Sequence, residues 1–155
     1  MLNLLTNKLL IMNNDTVKEI NVLFYAKRTR IIGIAILVGL FFVFLFGIFV
    51  SPNNINPELI YINHFGFILC MFACTAAVFT KKNLIKKVTA QNIASTYFST
   101  HILSFALCDA GGIICITANL FINQNLIYAT TGFLVTAAVM ISLFPKNDDY
   151  KKLGI

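Results

Sequence analysis

The amino-acid sequence predicts an all-α, polytopic membrane protein with four transmembrane helices and both termini in the cytoplasm. Of its 155 residues, 58% are hydrophobic and only 12% are charged, about half the charge of a typical soluble chain. The apolar residues stand in runs of about 20, the length that a helix needs to cross a hydrocarbon layer about 30 Å thick. The basic residues all fall before the first run, between the second and third runs, or after the fourth run. Composition therefore excludes an ordinary soluble enzyme, and the placement of charge predicts the topology.

Four apolar runs divide the chain into three parts. Residues 1–30 are predicted to be a cytoplasmic or interfacial N-terminal segment, residues 31–144 a four-helix transmembrane domain, and residues 145–155 a cytoplasmic tail. Each run is long enough to cross a bilayer with little tilt. The four predicted spans are Ile31–Val50, Leu59–Phe79, Ile102–Ile122 and Leu126–Phe144.

The N-terminal segment carries apolar residues at helical spacing. Val17, Ile20 and Phe24 share one face of a helix, which predicts an amphipathic segment along the cytoplasmic interface before the first span. A partly ordered tail is the alternative. Lys8 interrupts the leucine-rich start and no small-residue cleavage site follows, so we expect no cleaved signal peptide.

The first and third spans differ most in how strongly they are predicted. Apolar side chains surround the first span on every side, as on a helix that faces lipid. In the third span, Asp109 near the centre costs about 3 kcal/mol of insertion free energy and Asn119 adds to that cost. We therefore expect the third span to insert with the help of its neighbours. Turn residues separate the spans at Ser51 to Asn54, Asn56-Pro57, Asn123 to Asn125 and Pro145.

Orientation follows from the twelve lysine and arginine residues. They precede the first span, lie between the second and third spans, or follow the fourth, whereas the two opposite connections carry only an acid, Glu58. The positive-inside rule therefore places both termini and the middle loop in the cytoplasm, where four lysines predict a short basic helix or helix extension at the membrane surface. Topology accounts for the net charge of +6, and we expect no nucleic-acid partner.

Small residues line one face of the second span and one face of the third. Such faces let two backbones approach closely, which is how helices associate in lipid without a hydrophobic driving force. We therefore predict that these two spans pack as an antiparallel pair. The predicted helix-packing residues are Gly66, Cys70, Ala73 and Cys74 on the second span, and Ser104, Cys108, Gly111, Gly112 and Cys115 on the third.

The cysteines and histidines favour structural roles. All four cysteines lie inside spans, away from the membrane surface where a redox partner reaches a thiol, and they lack the spacing of a zinc site. His64 and His101 lie at opposite ends of their spans, about 20 Å apart along the membrane normal, which is too far to hold one haem. We expect both histidines to lie at the interface, and we predict no metal site and no cofactor.

Asp109 is the most informative residue, because it is the only acid deep in any span. A charge is costly at that depth, and no lysine or arginine of the chain lies there. The carboxyl group must be neutral, hydrogen-bonded to a neighbour such as Thr75, Thr136 or Ser104, bound to a cation, or paired with another subunit. Asp109 is therefore the candidate ion- or proton-binding residue.

The residues around Asp109 resemble part of a known family. The stretch FALCDAGGII at residues 105–114 resembles the carboxylate helix of the rotary ATPase proteolipid, subunit c, in which an acid follows an Ala-Leu pair and precedes small residues. The resemblance implies that Asp109 is a carboxylate that binds a proton or sodium ion. The four-span layout is similar to the duplicated proteolipids of vacuolar-type rotors, and to small bacterial four-span membrane proteins of unknown function.

Two functions compete at this point. The first is a non-enzymatic subunit or accessory protein of a larger membrane complex, whose partners are other membrane subunits or further copies of the chain. The alternative is a small proton- or cation-coupled transporter that works through Asp109. We expect no enzyme, because no nucleophile motif accompanies His101 and Asp109. Residue usage rich in Ile, Asn, Lys and Phe is typical of AT-rich genomes and favours a bacterial inner membrane, with an organelle inner membrane as the alternative.

Overall fold

The structure is a computed structural model that describes the backbone of residues 2–51, 56–89 and 92–146, and side chains from Leu23 onward except those of residues 93 and 94. Every regular element in these ranges is a helix, so the predicted all-α class is confirmed. Short 3₁₀ turns at Pro57–Leu59 and Ile85–Lys87 flank the second main helix, and π-helical turns at Ile93–Tyr97 and Thr117–Ile122 flank the third. The four main helices are α1 (Leu2–Val50), α2 (Ile60–Leu84), α3 (Phe98–Ile116) and α4 (Leu126–Ser142).

Helix α1 includes both the predicted N-terminal segment and the first span. Its 49 residues run without a break, and it contains no proline that would interrupt its hydrogen bonds. The helix therefore continues through residue 30, where the first span is predicted to begin. The side chains of Val17 and Ile20, on which the predicted amphipathic face depends, lie outside the described residues, as does the predicted tail beyond Lys146.

Three helical segments are long and apolar enough to cross a membrane: Leu23–Val50, Pro57–Lys87 and Ser95–Ile122. They contain the first three predicted spans. Helix α4 is shorter, because its 17 residues give a length of about 26 Å against a hydrocarbon layer of about 30 Å. It ends at Ser142 instead of the predicted Phe144, since Pro145 disfavours helical geometry in the residue before it.

The connection between α2 and α3 is shorter than the sequence pattern indicates. Helix α2 continues past Phe79 to Leu84 and then into the 3₁₀ turn that ends at Lys87. The four lysines therefore lie in a continuation of α2, as the helix extension that the sequence analysis allowed. Lysines suit this position because the helix dipole leaves partial negative charge at a C-terminus.

The end of the bundle that carries these lysines is held by charged hydrogen bonds between helices. Arg30 of α1 donates to the carbonyl oxygen of Pro145 at 2.5 Å, and Lys81 of α2 donates to that of Leu143 at 2.7 Å. Both acceptors follow α4, where carbonyl groups have no partner within the helix. We call this end the basic end; its described basic residues are Lys27, Arg28, Arg30, Lys81, Lys82, Lys86, Lys87 and Lys146.

Helix α3 is the central helix, since its packing against α1, α2 and α4 is more extensive than that of any other helix. Half of its most apolar stretch is buried inside the bundle, against 22% for α1. Phe105 and Ile116 of α3 are fully buried, and Phe44 of α1 stacks on Phe133 of α4 with ring centroids 4.8 Å apart. The helix predicted to insert least readily is therefore the one that its neighbours cover most.

Replacing Arg30 by methionine is expected to lower the free energy of unfolding by about 2 kcal/mol, because a charge-assisted hydrogen bond to the Pro145 carbonyl group is lost. The measurement is thermal or denaturant unfolding in detergent. Arg28→Met is the matched control, since Arg28 is exposed and loses the same charge. An equal effect of both substitutions would mean that net charge, and not this hydrogen bond, sets the stability.

Candidate functional site

Helices α2 and α3 approach each other closely at two glycines. A Cβ added to Gly66 would lie 2.5 Å from the Ala118 Cβ, and one added to Gly111 would lie 2.7 Å from the Ala73 Cβ and 3.3 Å from the Cys70 Cα. Distances below 3.0 Å are essentially never seen for real Cβ atoms, so neither position accepts a side chain without movement of the helices. The contacts ascend along α2 as they descend along α3, which makes the pair antiparallel.

Gly112 lies on a different face of α3 from Gly111. A Cβ at Gly112 would lie 3.0 Å from Thr136 Cγ2 on α4 and 3.1 Å from Leu40 Cδ2 on α1. The expectation that both glycines pack against α2 is therefore corrected, because adjacent residues on a helix point about 100° apart. Gly111 permits the contact with α2, and Gly112 permits the contacts with α1 and α4.

All four cysteines are buried and free, and two of them contact the same hydroxyl group. The Sγ atom of Cys70 lies 3.3 Å from Thr136 Oγ1, and that of Cys74 lies 3.8 Å from the same oxygen. The side chains of Cys70, Cys74, Cys108 and Cys115 belong to one buried hydrophobic cluster. The thiols pack as small apolar groups with weak hydrogen bonds, which suits the α2–α3–α4 contact.

A metal centre would need three or more ligands that converge on one point. Among the described residues, no group of three or more histidine, cysteine, aspartate or glutamate side chains has that arrangement. The four cysteines come from α2 and α3 and share a buried cluster, but three or more of them do not converge on one point. What the structure shows for these cysteines is therefore packing between helices.

The first turns of α3 are held by side chains that bond to its own backbone. Ser104 Oγ donates to the Thr100 carbonyl oxygen at 2.8 Å, and His101 Nδ1 lies 3.0 Å from the Tyr97 carbonyl oxygen. His101 is fully buried within the bundle, where its ring centroid lies 4.5 Å from that of Tyr97. His64 is exposed near the opposite end of the bundle.

Three buried asparagines lie near the end of the bundle opposite the basic end. Asn119 Nδ2 donates to the Cys115 carbonyl oxygen at 2.8 Å and to that of Asn63 at 3.4 Å. Asn123 Oδ1 accepts a hydrogen bond from the Asn56 backbone nitrogen at 2.8 Å. The sequence pattern predicted a cost of insertion for Asn119 and a turn at Asn123, but it did not predict these hydrogen bonds. The available clue was that Asn63 and Asn119 each lie near the same end of an apolar span.

Asp109 lies at an outer edge of α3. Buried Phe105 and Ile116 flank it on one side of the helix, and Ile113, which is 39% exposed, flanks it on the other. The side chain is itself partly exposed. Within the described part of the chain, its carboxyl group forms no hydrogen bond or ion pair. The acid therefore lies near the surface of the bundle and not in a polar centre.

The three hydroxyl groups that the sequence analysis considered as partners of Asp109 have other contacts. Thr75 donates to the Met71 carbonyl oxygen at 2.8 Å, Ser104 donates within α3, and Thr136 contacts the thiols. None of the three bonds to the Asp109 carboxyl group, so that alternative is corrected. Thr75 of α2 lines the groove beside α4, whereas Asp109 lies one turn from Phe105, whose ring packs against Gly33 of α1. The remaining alternatives for Asp109 are a neutral carboxyl group, a bound cation and a partner on another molecule.

Comparison with known proteins does not extend this description. No protein-family model matches the chain, and neither a curated protein nor a solved structure matches it. The resemblance of residues 105–114 to the proteolipid helix stays a prediction from the sequence. The function is therefore argued from the site itself.

Proposed function

We propose that this protein is a non-enzymatic integral membrane subunit or accessory protein of a larger membrane complex, in which Asp109 pairs with a group on another subunit. The position of Asp109 carries the proposal. It is partly exposed, lies near the middle of α3, and has no partner among the described residues. An acid in hydrocarbon costs about 3 kcal/mol, and acids in spans are usually satisfied by a partner. A second molecule is the source of such a partner.

The surface beside Asp109 suits the approach of another helix. Ala106 and Ala110 lie on the exposed side of α3, one residue or one turn from the acid. Small side chains let a partner backbone come close enough to place a polar or basic group against the carboxyl group. The partner is another membrane subunit or a second copy of this chain.

In this proposal all four helices cross the membrane and the basic end faces the cytoplasm. Helix α4 has 17 residues, and the residues that follow it are anchored at the basic end by Arg30 and Lys81. Glu58 is the only charged residue in the connections at the opposite end. The positive-inside rule then orients both termini towards the cytoplasm, in a bacterial inner membrane or a similar organelle membrane.

A proton- or cation-coupled transporter that works through Asp109 is the competing function. Transporter sites lie near the midplane in polar cavities, often at broken helices. The groove lined by Met71 and Val139 and the groove lined by Ile62 and Ile113 have mainly apolar walls, and Asp109 lines neither of them. The position of Asp109 therefore favours a contact with another helix over an internal transport site.

Recovery of partners from native membranes tests the proposal. The wild-type protein, solubilised in mild detergent, is expected to co-purify with a partner at fixed stoichiometry or as a homo-oligomer. Asp109→Asn is expected to lower that recovery about tenfold, because the amide cannot form an ion pair. Glu58→Gln is the matched control, since it makes the same chemical change in a connection outside the spans.

Ion flux through the purified protein distinguishes the subunit function from the transporter function. If the wild-type protein is a stable monomer that conducts ions in liposomes, and Asp109→Asn abolishes the flux, the subunit function is wrong and the transporter is favoured. If flux is retained in full by Asp109→Asn, the transporter function is wrong. Equal loss of partners in Asp109→Asn and Glu58→Gln would remove Asp109 from the contact.

A further inference from the structure

Helices α2 and α4 leave a groove between them that opens at the basic end. Its volume is about 460 Å³. Apolar side chains from both helices form its walls, and one lysine lies at its mouth. The lining includes Met71, Val78 and Phe79 of α2, Val135 and Val139 of α4, and Lys82 at the mouth.

The groove has the length of one leaflet of a bilayer. Met71 and Lys82 mark its two ends on α2, and the rise of an α-helix places them about 16 Å apart. Half of a hydrocarbon layer about 30 Å thick is about 15 Å. Lys82 therefore lies at the depth of lipid headgroups when Met71 lies near the midplane.

The polar groups along the groove are already bonded within the protein. Thr75 Oγ1 donates to the carbonyl oxygen of its own helix at Met71, and the Cys74 thiol contacts Thr136. The groove therefore offers an occupant apolar contact along its length and little hydrogen bonding. This arrangement fits a hydrocarbon chain and does not fit a polar solute.

The charge at the mouth comes from Lys82. Its side chain is exposed, and in the described part of the chain its ammonium group has no ion-pair or hydrogen-bond partner. The neighbouring Lys81 differs, because its ammonium group is bonded to the Leu143 carbonyl oxygen at 2.7 Å and ties α2 to α4. Lys86, one turn further along and also exposed, adds positive charge to the same region. A cation above an apolar groove complements an anionic headgroup above an acyl chain.

We propose that the α2–α4 groove binds one anionic phospholipid of the leaflet at the basic end. One acyl chain lies along the groove from Phe79 to Met71, and the phosphate group contacts Lys82. Zwitterionic phospholipids enter more weakly, because their headgroups carry no net negative charge. The groove and Asp109 involve different helices, so this site does not depend on the proposed subunit function.

The absence of tryptophan from the chain makes a direct test possible, because one introduced tryptophan is the only such fluorophore. Phe79→Trp reports from the groove wall, where Phe79 is 65% exposed. Ile141→Trp is the matched reporter, since Ile141 is 57% exposed on α4 at a similar level but does not line the groove. Each full-length variant is reconstituted into phosphatidylcholine vesicles that contain brominated phosphatidylglycerol or brominated phosphatidylcholine as the quencher.

At Phe79→Trp, quenching is expected to show about a fivefold preference for phosphatidylglycerol, the effect of about one lysine near a membrane surface. Adding Lys82→Gln is expected to remove that preference, whereas Lys87→Gln, which removes the same charge from an exposed lysine outside the groove, retains it. Equal preference at both tryptophans, its retention in Lys82→Gln, or its loss in Lys87→Gln would each overturn the proposal. Lipid quenching of Ile141→Trp in every background verifies that the variants are folded and inserted.

Discussion

Replacing Gly111 by leucine is expected to separate α2 from α3 and to lower the melting temperature of the protein in detergent sharply. The added Cβ would lie 2.7 Å from the Ala73 Cβ and 3.3 Å from the Cys70 Cα, a backbone atom that no side-chain rotation moves away. Overpacking of a tight interface costs about 1–3 kcal/mol, and the full leucine side chain places this change at the upper end of that range. Thermal unfolding followed by size-exclusion chromatography measures the effect.

Gly39→Leu is the matched control for this prediction. A Cβ at Gly39 meets no atom within 4 Å, and the residue lies on the exposed face of α1. Leucine there is compatible with a helix and with lipid, so we expect the melting temperature to stay close to that of the wild-type protein. If both substitutions lower it equally, close packing of α2 and α3 is not what Gly111 provides.

Replacing Asp109 by leucine is expected to shift the insertion free energy of the α3 segment by about 3.5 kcal/mol in favour of the membrane. This is the difference between a mid-span acid, which opposes insertion, and leucine, which favours it. Insertion of residues 98–122, carried in a host membrane protein with glycosylation sites on both sides, measures the shift. In the full-length protein, the same substitution is expected to leave the isolated monomer at least as stable, while partner recovery falls.

Asn119→Leu is the matched comparison for Asp109→Leu, because it replaces another polar residue of the same predicted span. It also favours insertion of the isolated segment, since it removes a polar side chain. In the full-length protein it is expected to destabilise the monomer, because Asn119 is fully buried and donates to the carbonyl oxygens of Cys115 and Asn63. If Asp109→Leu destabilised the monomer as Asn119→Leu does, Asp109 would have a structural role inside the bundle and the proposed contact with a partner would be wrong.

Local composition determined much of the fold. Runs of apolar residues predicted the helices, because backbone groups in hydrocarbon must be bonded within the segment that carries them. Helix ends were less well predicted where tertiary contacts or a neighbouring proline move them. Helix α1 runs through the predicted boundary at residue 30, the chain before Ile102 adds a turn to α3, and α4 ends before Pro145.

The candidate site also combines features that the sequence predicted with features that it did not predict. Hydropathy alone singled out Asp109, since one acid in an apolar run is visible in any single sequence. The helical pattern of small residues also indicated a face of α3 suited to packing, but it did not distinguish Gly111 from Gly112. That distinction depends on where α1, α2 and α4 stand around α3, and a single helix does not encode the positions of its neighbours.

The sequence by itself determined that the chain is helical and apolar, that its basic residues lie in the terminal segments and between the second and third apolar runs, and that one acid lies in the middle of an apolar run. These features depend on the transfer of each residue between water and hydrocarbon, which is a local property. Only the tertiary structure decided that Thr136 contacts the thiols, that Asp109 has no partner among the described residues, and that a groove lies below Lys82. These features depend on the rotation and spacing of packed helices, which follow from the contacts of all four helices together.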